Sequence, residues 1–231
     1  MTKVSYNNKQ ADDYNWETYY IRYGKQATKF SKLHTQILTN DNFEFVNGKI
    51  SLKRGYLPLH DNHRLLYETI CELDPETVME FGCGWGDHIH NISKLKNTIR
   101  VCGVDIGIEQ LKILCRRHPH LSECVKQLDI TNEYLPIDNQ YDIVYTQAVL
   151  MHLQTNNNHI SALKNMFKLA KRQVLLIENF NCHDFYSDVK NFVRKDSNWN
   201  TSNIYFKALE KAKMMIISKE KLKYGLKEEC R

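Results

Sequence analysis

The stretch that decides the fold is Thr77-Val78-Met79-Glu80-Phe81-Gly82-Cys83-Gly84-Trp85-Gly86-Asp87. Thr77 to Phe81 reads as a buried strand, and Asp87 to Leu95 as a helix with Ile89, Ile92 and Leu95 on one face. Between them the chain must turn sharply and leave backbone bare for a ligand, which calls for glycine. A Cβ at Gly82 or Gly84 is expected to occupy the ligand's space. The first N–H groups of the helix face the same crevice. The spacing is GxGxG, not the GxGxxG of dinucleotide loops, and Asp87 stands where that fingerprint wants glycine. Glu80 adds a carboxylate inside the motif. Such a group repels a pyrophosphate and suits a cation, such as an ammonium or a sulfonium.

Working outward, Arg100 to Val104 reads as a second strand ending at Asp105. This acid falls about 20 residues past the loop, where a carboxylate can accept both ribose hydroxyl protons. Asp129 ends a third expected strand, Glu123 to Leu128, with the exocyclic amino group of adenine as its expected partner. Taken singly, each acid is as easily a solvated strand end. Taken in order, they favour S-adenosylmethionine over a nicotinamide dinucleotide. Further strands are expected at Tyr141–Gln147 and Gln173–Ile177, and helices at Ile108–Arg117, Asn158–Ala170 and Asp184–Arg194. Asn203 to Leu209 and Lys213 to Ser218 form a terminal hairpin. This alternation implies an α/β domain: a mainly parallel, doubly wound sheet with helices on both faces and right-handed crossovers.

From Thr77 to Ser218 the chain resembles the class I S-adenosylmethionine-dependent methyltransferases. The matching stretches are VMEFGCGWG, VCGVDIG, QLDIT and YDIVYTQAVLMHL. The resemblance implies a Rossmann-like seven-stranded sheet whose last strand is antiparallel. It implies S-adenosylmethionine as cofactor, with Gly82, Cys83, Gly84 and Gly86 against its amino acid part and Glu80 nearby. It places Asp105 and Ile106 at the ribose, Asp129 and Ile130 at adenine, and Gln147 at the methionyl end. Trp85 departs from the pattern, since a small residue is more usual there.

Residues 1–65 read as a helical lid or cap ahead of a cofactor domain over 66–231. Helices are expected at Trp16–Phe30 and Leu33–Leu38, and a short hairpin turns at Asn47-Gly48. Tyr14, Tyr19, Tyr20 and Tyr23 of the lid are expected to close over the ligands. Arg54 and Arg64 are candidate clamps for an anionic acceptor, and His60 and His63 sit with them near the cleft mouth. His152, just after the fourth strand, is the first candidate general base. Glu178 and Asn179 follow the fifth strand and can orient an acceptor or a base; His183 is close behind.

The 231 residues are 42% hydrophobic and 11% aromatic, which excludes a disordered chain. No apolar run approaches the roughly 20 residues of a membrane span, and the N-terminus lacks a signal-peptide core. A cytoplasmic protein is the expectation. The net charge of +5 comes without a concentrated basic patch, so nucleic acid is not the expected partner. Seven cysteines without a CxxC pair read as reduced thiols, and no metal site is expected. The expected activity is methyl transfer to a small polar metabolite, leaning to oxygen of a sugar or phosphorylated precursor. The alternatives are N-methylation of a small amine, an RNA or protein acceptor, or a binding module without chemistry.

Overall fold

The structure is a computed structural model that describes residues 35–138 and 140–222. The expected lid helix and Tyr14, Tyr19, Tyr20 and Tyr23 lie outside these residues. In chain order the elements are β1 (Phe43–Val46), β2 (Lys49–Leu52), α1 (Asp61–Leu73), β3 (Thr77–Phe81), α2 (Asp87–Leu95), β4 (Arg100–Asp105), α3 (Ile108–Arg117), β5 (Val125–Gln127), β6 (Tyr141–Gln147), α4 (Asn158–Leu169), β7 (Ala170–Ile177), α5 (Phe185–Val193), β8 (Ile204–Leu209) and β9 (Ala212–Ser218).

Seven strands form one sheet in the order β5-β4-β3-β6-β7-β9-β8. The pairings from β5 through β7 are parallel, whereas β9 runs antiparallel to both β7 and β8. Successive residues of each central strand divide between two cores. Val78, Ile143, Leu175 and Ile216 pack with α1, α2 and α3, while Met79, Val144, Val174 and Ile217 pack with α4 and α5. Burial on both faces is why these strands read as unbroken apolar runs. The chain runs outward from β3 to β5, then returns to β6 on the other side of β3. That reversal opens a crevice at the carboxyl ends of β3 and β6, where ligands bind in such sheets.

Some expectations need correction. The third strand is shorter than expected, because Pro119–Cys124 winds into a 3-10 turn with the proline at its start. The described part of Leu33–Leu38, residues 35–38, is not helical. Helix α1 was not anticipated; it crosses the point between residues 65 and 66 where lid and domain were divided. The Asn47-Gly48 turn has φ of 51° and 75°, the hairpin geometry that the dipeptide favours. Its hairpin docks on α1 through Glu68, which accepts from Ile50 N at 3.1 Å and Lys49 Nζ at 2.8 Å. Among the described residues, no helix is long and apolar enough to cross a membrane.

Candidate active site

The glycine loop after β3 is tied down from β4. Val104 O accepts from Gly82 N and Cys83 N, at 2.8 and 3.0 Å. Asp105 accepts from Gly84 N and Gly107 N, both at 2.8 Å, through its two oxygens. Burial raises the Asp105 pKa, and these two backbone donors oppose the rise. A carboxylate has about four acceptor positions, so Asp105 keeps capacity for further hydroxyl donors.

The glycines serve different ends. A Cβ at Gly84 would meet nothing within 4 Å, as expected for a residue facing open space. A Cβ at Gly82 would instead lie 2.5 Å from Val149, so packing excludes it there. Gly86 has φ of 75° and is likewise closed off by Leu114, at 2.5 Å. On the adjacent strand, the Cys83 side chain fills the space that a Cβ at Gly103 would take, at 2.7 Å.

A cavity of about 370 Å³ opens over this loop. It is lined by Glu80, Gly82, Cys83, Gly84, Asp105, Ile106, Asp129, Ile130 and Gln147. Of the residues expected at the cofactor, only Gly86 is missing from the wall. Asp129 caps its own loop, accepting from Thr131 N at 2.9 Å and Thr131 Oγ1 at 2.7 Å. Asn165 holds the same loop from α4, donating to Ile130 O and Asn132 O, each at 2.8 Å.

Four acids line this ligand space. Glu80, Asp87, Asp105 and Asp129 line it, and among the described residues no lysine or arginine does. Asp87 is already neutralised: Arg117 donates to both of its oxygens at 3.0 Å, and His118 Nε2 lies 2.8 Å away. Glu80 is not. It is 1% exposed, and its Oε2 has no hydrogen-bond partner. Burial pushes its pKa well up, and the nearby Asp105 and Asp87 add to the rise. The Tyr145 hydroxyl is the neighbour that favours the charged form, yet the two do not meet in good hydrogen-bond geometry. A buried carboxyl oxygen without a partner is costly, and a bound cation would satisfy it. The residues present therefore fit a ligand with an ammonium or sulfonium, a ribose and an adenine.

Residues 79–176 match the family model described as a methyltransferase domain. That stretch is similar to methyltransferase domains, and the seven-stranded sheet that holds it has the Rossmann-like architecture of the class I enzymes. Two solved structures share its fold. The methyltransferase domain of bacterial CtHen1 is 16% identical, with a TM-score of 0.54 over 68% of this chain and 98% of that one. The plantazolicin methyltransferase BpumL, in complex with a pentazolic desmethylPZN analogue and SAH, is 10% identical. Its TM-score is 0.51, over 66% of this chain and 79% of that one. A search of the curated proteins finds no match.

The candidate catalytic residues sit less centrally. His152 closes the short 3-10 turn Leu150–His152, next to the wall residues Val149 and Leu153, and burial lowers its pKa. Glu178 points beneath this turn, accepting from Val149 N and Met151 N at 3.1 Å each. Asn179 is exposed and caps the local turn at Asn181 N. His183 stacks on His159, with ring centroids 3.9 Å apart. None of these four is part of the cavity wall.

The candidate acceptor residues lie outside that wall too. Arg54 is exposed, and Arg64 pairs with Asp61 and Glu210 at 4.0 and 3.7 Å. His60 caps α1, its Nδ1 accepting from Asn62 N at 3.2 Å. His63 packs edge-on to His88, and burial pushes its pKa down to about 2. Sequence reasoning missed His88, Asp87, Gln110 and Thr35, all in the wall. For Asp87 and His88 a signal existed: they open the helix that leaves the glycine loop.

Proposed function

We propose that this protein is an S-adenosylmethionine-dependent methyltransferase that acts on a small polar acceptor, and that the acceptor atom is oxygen. The carrying observation is the cleft itself, whose wall includes four acids and, among the described residues, no lysine or arginine, with Glu80 Oε2 buried and lacking a hydrogen-bond partner. When bound, S-adenosylmethionine supplies an activated methyl group on a sulfonium. The protein's part is to hold the reactants in line, which accounts for much of the acceleration in such displacements. Glu80 offers its carboxylate to the ammonium, Asp105 its remaining lone pairs to the ribose hydroxyls, and Asp129 its free oxygen to the adenine amino group.

An alcohol acceptor needs a base, and His152 takes that role. Burial keeps its imidazole neutral at physiological pH, the form that accepts a proton. A second reading, methylation of a small amine, draws support from the acidic wall, which attracts a cationic acceptor. Incubating the protein with S-adenosylmethionine and fractionated metabolites, and locating a gain of one CH2 unit by tandem mass spectrometry, separates the two. His152→Ala is expected to bind S-adenosylhomocysteine normally and to lose about a hundredfold in turnover. Unchanged turnover would remove His152 as the base.

A further inference from the structure

A group of aromatic rings lies at the carboxyl edge of β7, on the α4 and α5 side of the sheet. Phe180, three residues past β7, meets Phe206 of β8 with 6.3 Å between ring centroids, and Phe206 meets Tyr186 of α5 at 6.0 Å. Phe180 and Phe206 are half-buried and border the core of Met79, Val144 and Val174, whereas Tyr186 is 39% exposed. Two lysines stand over these rings. Lys213 Nζ lies 4.4 Å from the Phe206 centroid and 5.9 Å from that of Phe180. Lys190, one turn beyond Tyr186 on α5, places its Nζ 5.2 Å from the Tyr186 centroid.

Strand pairing brings these distant residues together and sets them beside the cavity. Phe206 is opposite Met215, and Lys213 lies two residues from Met215, on the same side of the sheet. Leu176 of β7 is also opposite Met215, so the same register continued sets Lys213 beside Glu178. Glu178 holds the turn of His152 through Val149 N and Met151 N. Phe180 follows two residues later, at most about 7 Å along the chain. Val149 and Leu153 of the cavity wall border the same core as Phe180 and Phe206. Wall, His152 turn and rings therefore follow one another along one side of the sheet.

The charge of this surface is opposite to that of the cavity. Four acids line the cavity, and among the described residues no lysine or arginine does. Among the described residues neither Lys190 nor Lys213 is in an ion pair. Each rests on the face of a ring, which leaves ammonium protons to donate to an anion. An anionic group is therefore repelled by the wall and attracted here, and a planar ring can stack on the open sides of Tyr186 and Phe206. We infer that this surface receives the acceptor, and that the acceptor is a small molecule joining a planar ring to an anionic group such as a phosphate or carboxylate. The ring packs on Tyr186 and Phe206, and Lys213 and Lys190 hold the anion. The inference deepens the small polar acceptor proposed above and rests on that reading.

Three probes separate the two features: phenyl phosphate has ring and charge, benzyl alcohol the ring alone, and inorganic phosphate the charge alone. In NMR titrations of the full chain, phenyl phosphate is expected to bind about tenfold more tightly than either of the others. Lys213→Gln should weaken phenyl phosphate about fivefold, reduce its salt dependence and leave benzyl alcohol unchanged. Phe206→Leu should weaken both ring probes about threefold. Tyr186→Leu, at an exposed position, carries the same comparison if Phe206→Leu fails to fold. In the acceptor screen, the methylated product is expected among metabolites that absorb ultraviolet light and are retained on anion exchange. Phenyl phosphate binding no tighter than inorganic phosphate, equal losses on all three probes in Lys213→Gln, or methyl transfer confined to unretained metabolites would overturn the inference. S-adenosylhomocysteine affinity, read by calorimetry, should be the same in every variant as in the parent. A parent that does not bind it would strike the cofactor assignment instead, while the ring probes still decide the aromatic surface.

Discussion

The two halves of the sheet's carboxyl edge treat their acids differently. At the β3–β4 half, Glu80 and Asp105 reach the cavity, and Asp105 does so while also holding two backbone N–H groups. At the β6–β7 half, Glu178 is turned beneath the loop by Val149 N and Met151 N and does not reach the wall. All three are strand-end carboxylates with little exposure. Asp105 and Glu178 each accept from two backbone N–H groups, so what separates them is where those groups lie: Gly84 is part of the cavity wall, whereas Met151, held by Glu178, is not. Glu178 still contributes to the site, because it supports Val149, whose side chain closes against Gly82.

The sharpest test of this contrast is Asp105→Asn. An amide cannot accept from both Gly84 N and Gly107 N, so the loop loses an anchor along with its ribose partner. S-adenosylhomocysteine affinity is expected to fall about a hundredfold, read by calorimetry. A variant that bound within a few-fold of the parent would break the proposed role.

Glu80→Gln comes next, with an expected loss of about tenfold in affinity for the same ligand. Its stability should change in the opposite direction. Because burial raises the folded-state pKa of Glu80, its protonation favours the unliganded protein at low pH. That benefit fades as pH rises above 4.5 through the folded-state value. The glutamine variant, which carries no charge, should therefore melt about 5 °C higher at pH 7 without ligand, with the difference closing toward pH 4. In the parent, cofactor binding should release a proton, so that calorimetric heats vary with the ionisation enthalpy of the buffer. Heats independent of buffer would show Glu80 already charged.

Glu178→Ala is expected to have the smallest effect on affinity, under about threefold. It should nevertheless lower stability by about 2–4 kcal/mol, since two buried N–H groups lose their acceptor. A loss of affinity equal to that of Asp105→Asn would erase the distinction between the two halves.

The same contrast explains what the sequence made legible. Strand runs such as TVMEF and QVLLI, the glycine spacing, Asp105 and Asp129 are local patterns whose consequences stay local. The role of Glu178 was not legible, because it is settled by backbone N–H groups 27 and 29 positions away; that of His60 was not, because histidine is not among the usual helix-capping residues. His60 looked like a cleft residue and is a helix cap. Helix α1 was hidden by its weak punctuation: it starts at a histidine cap and ends at Asp74 with φ of 50°, a position usually held by glycine. Phe180, Phe206 and Lys213 carry no joint signal in sequence, since only strand pairing brings them together.

Gly103 lies in the middle of β4, outside the cavity wall, yet the Cys83 sulfur rests in the hollow it leaves. Any larger residue there would lift that sulfur into the chamber and make its floor shallower. The room available to a bound nucleoside is therefore metered from the neighbouring strand, by the smallest side chain in the chain.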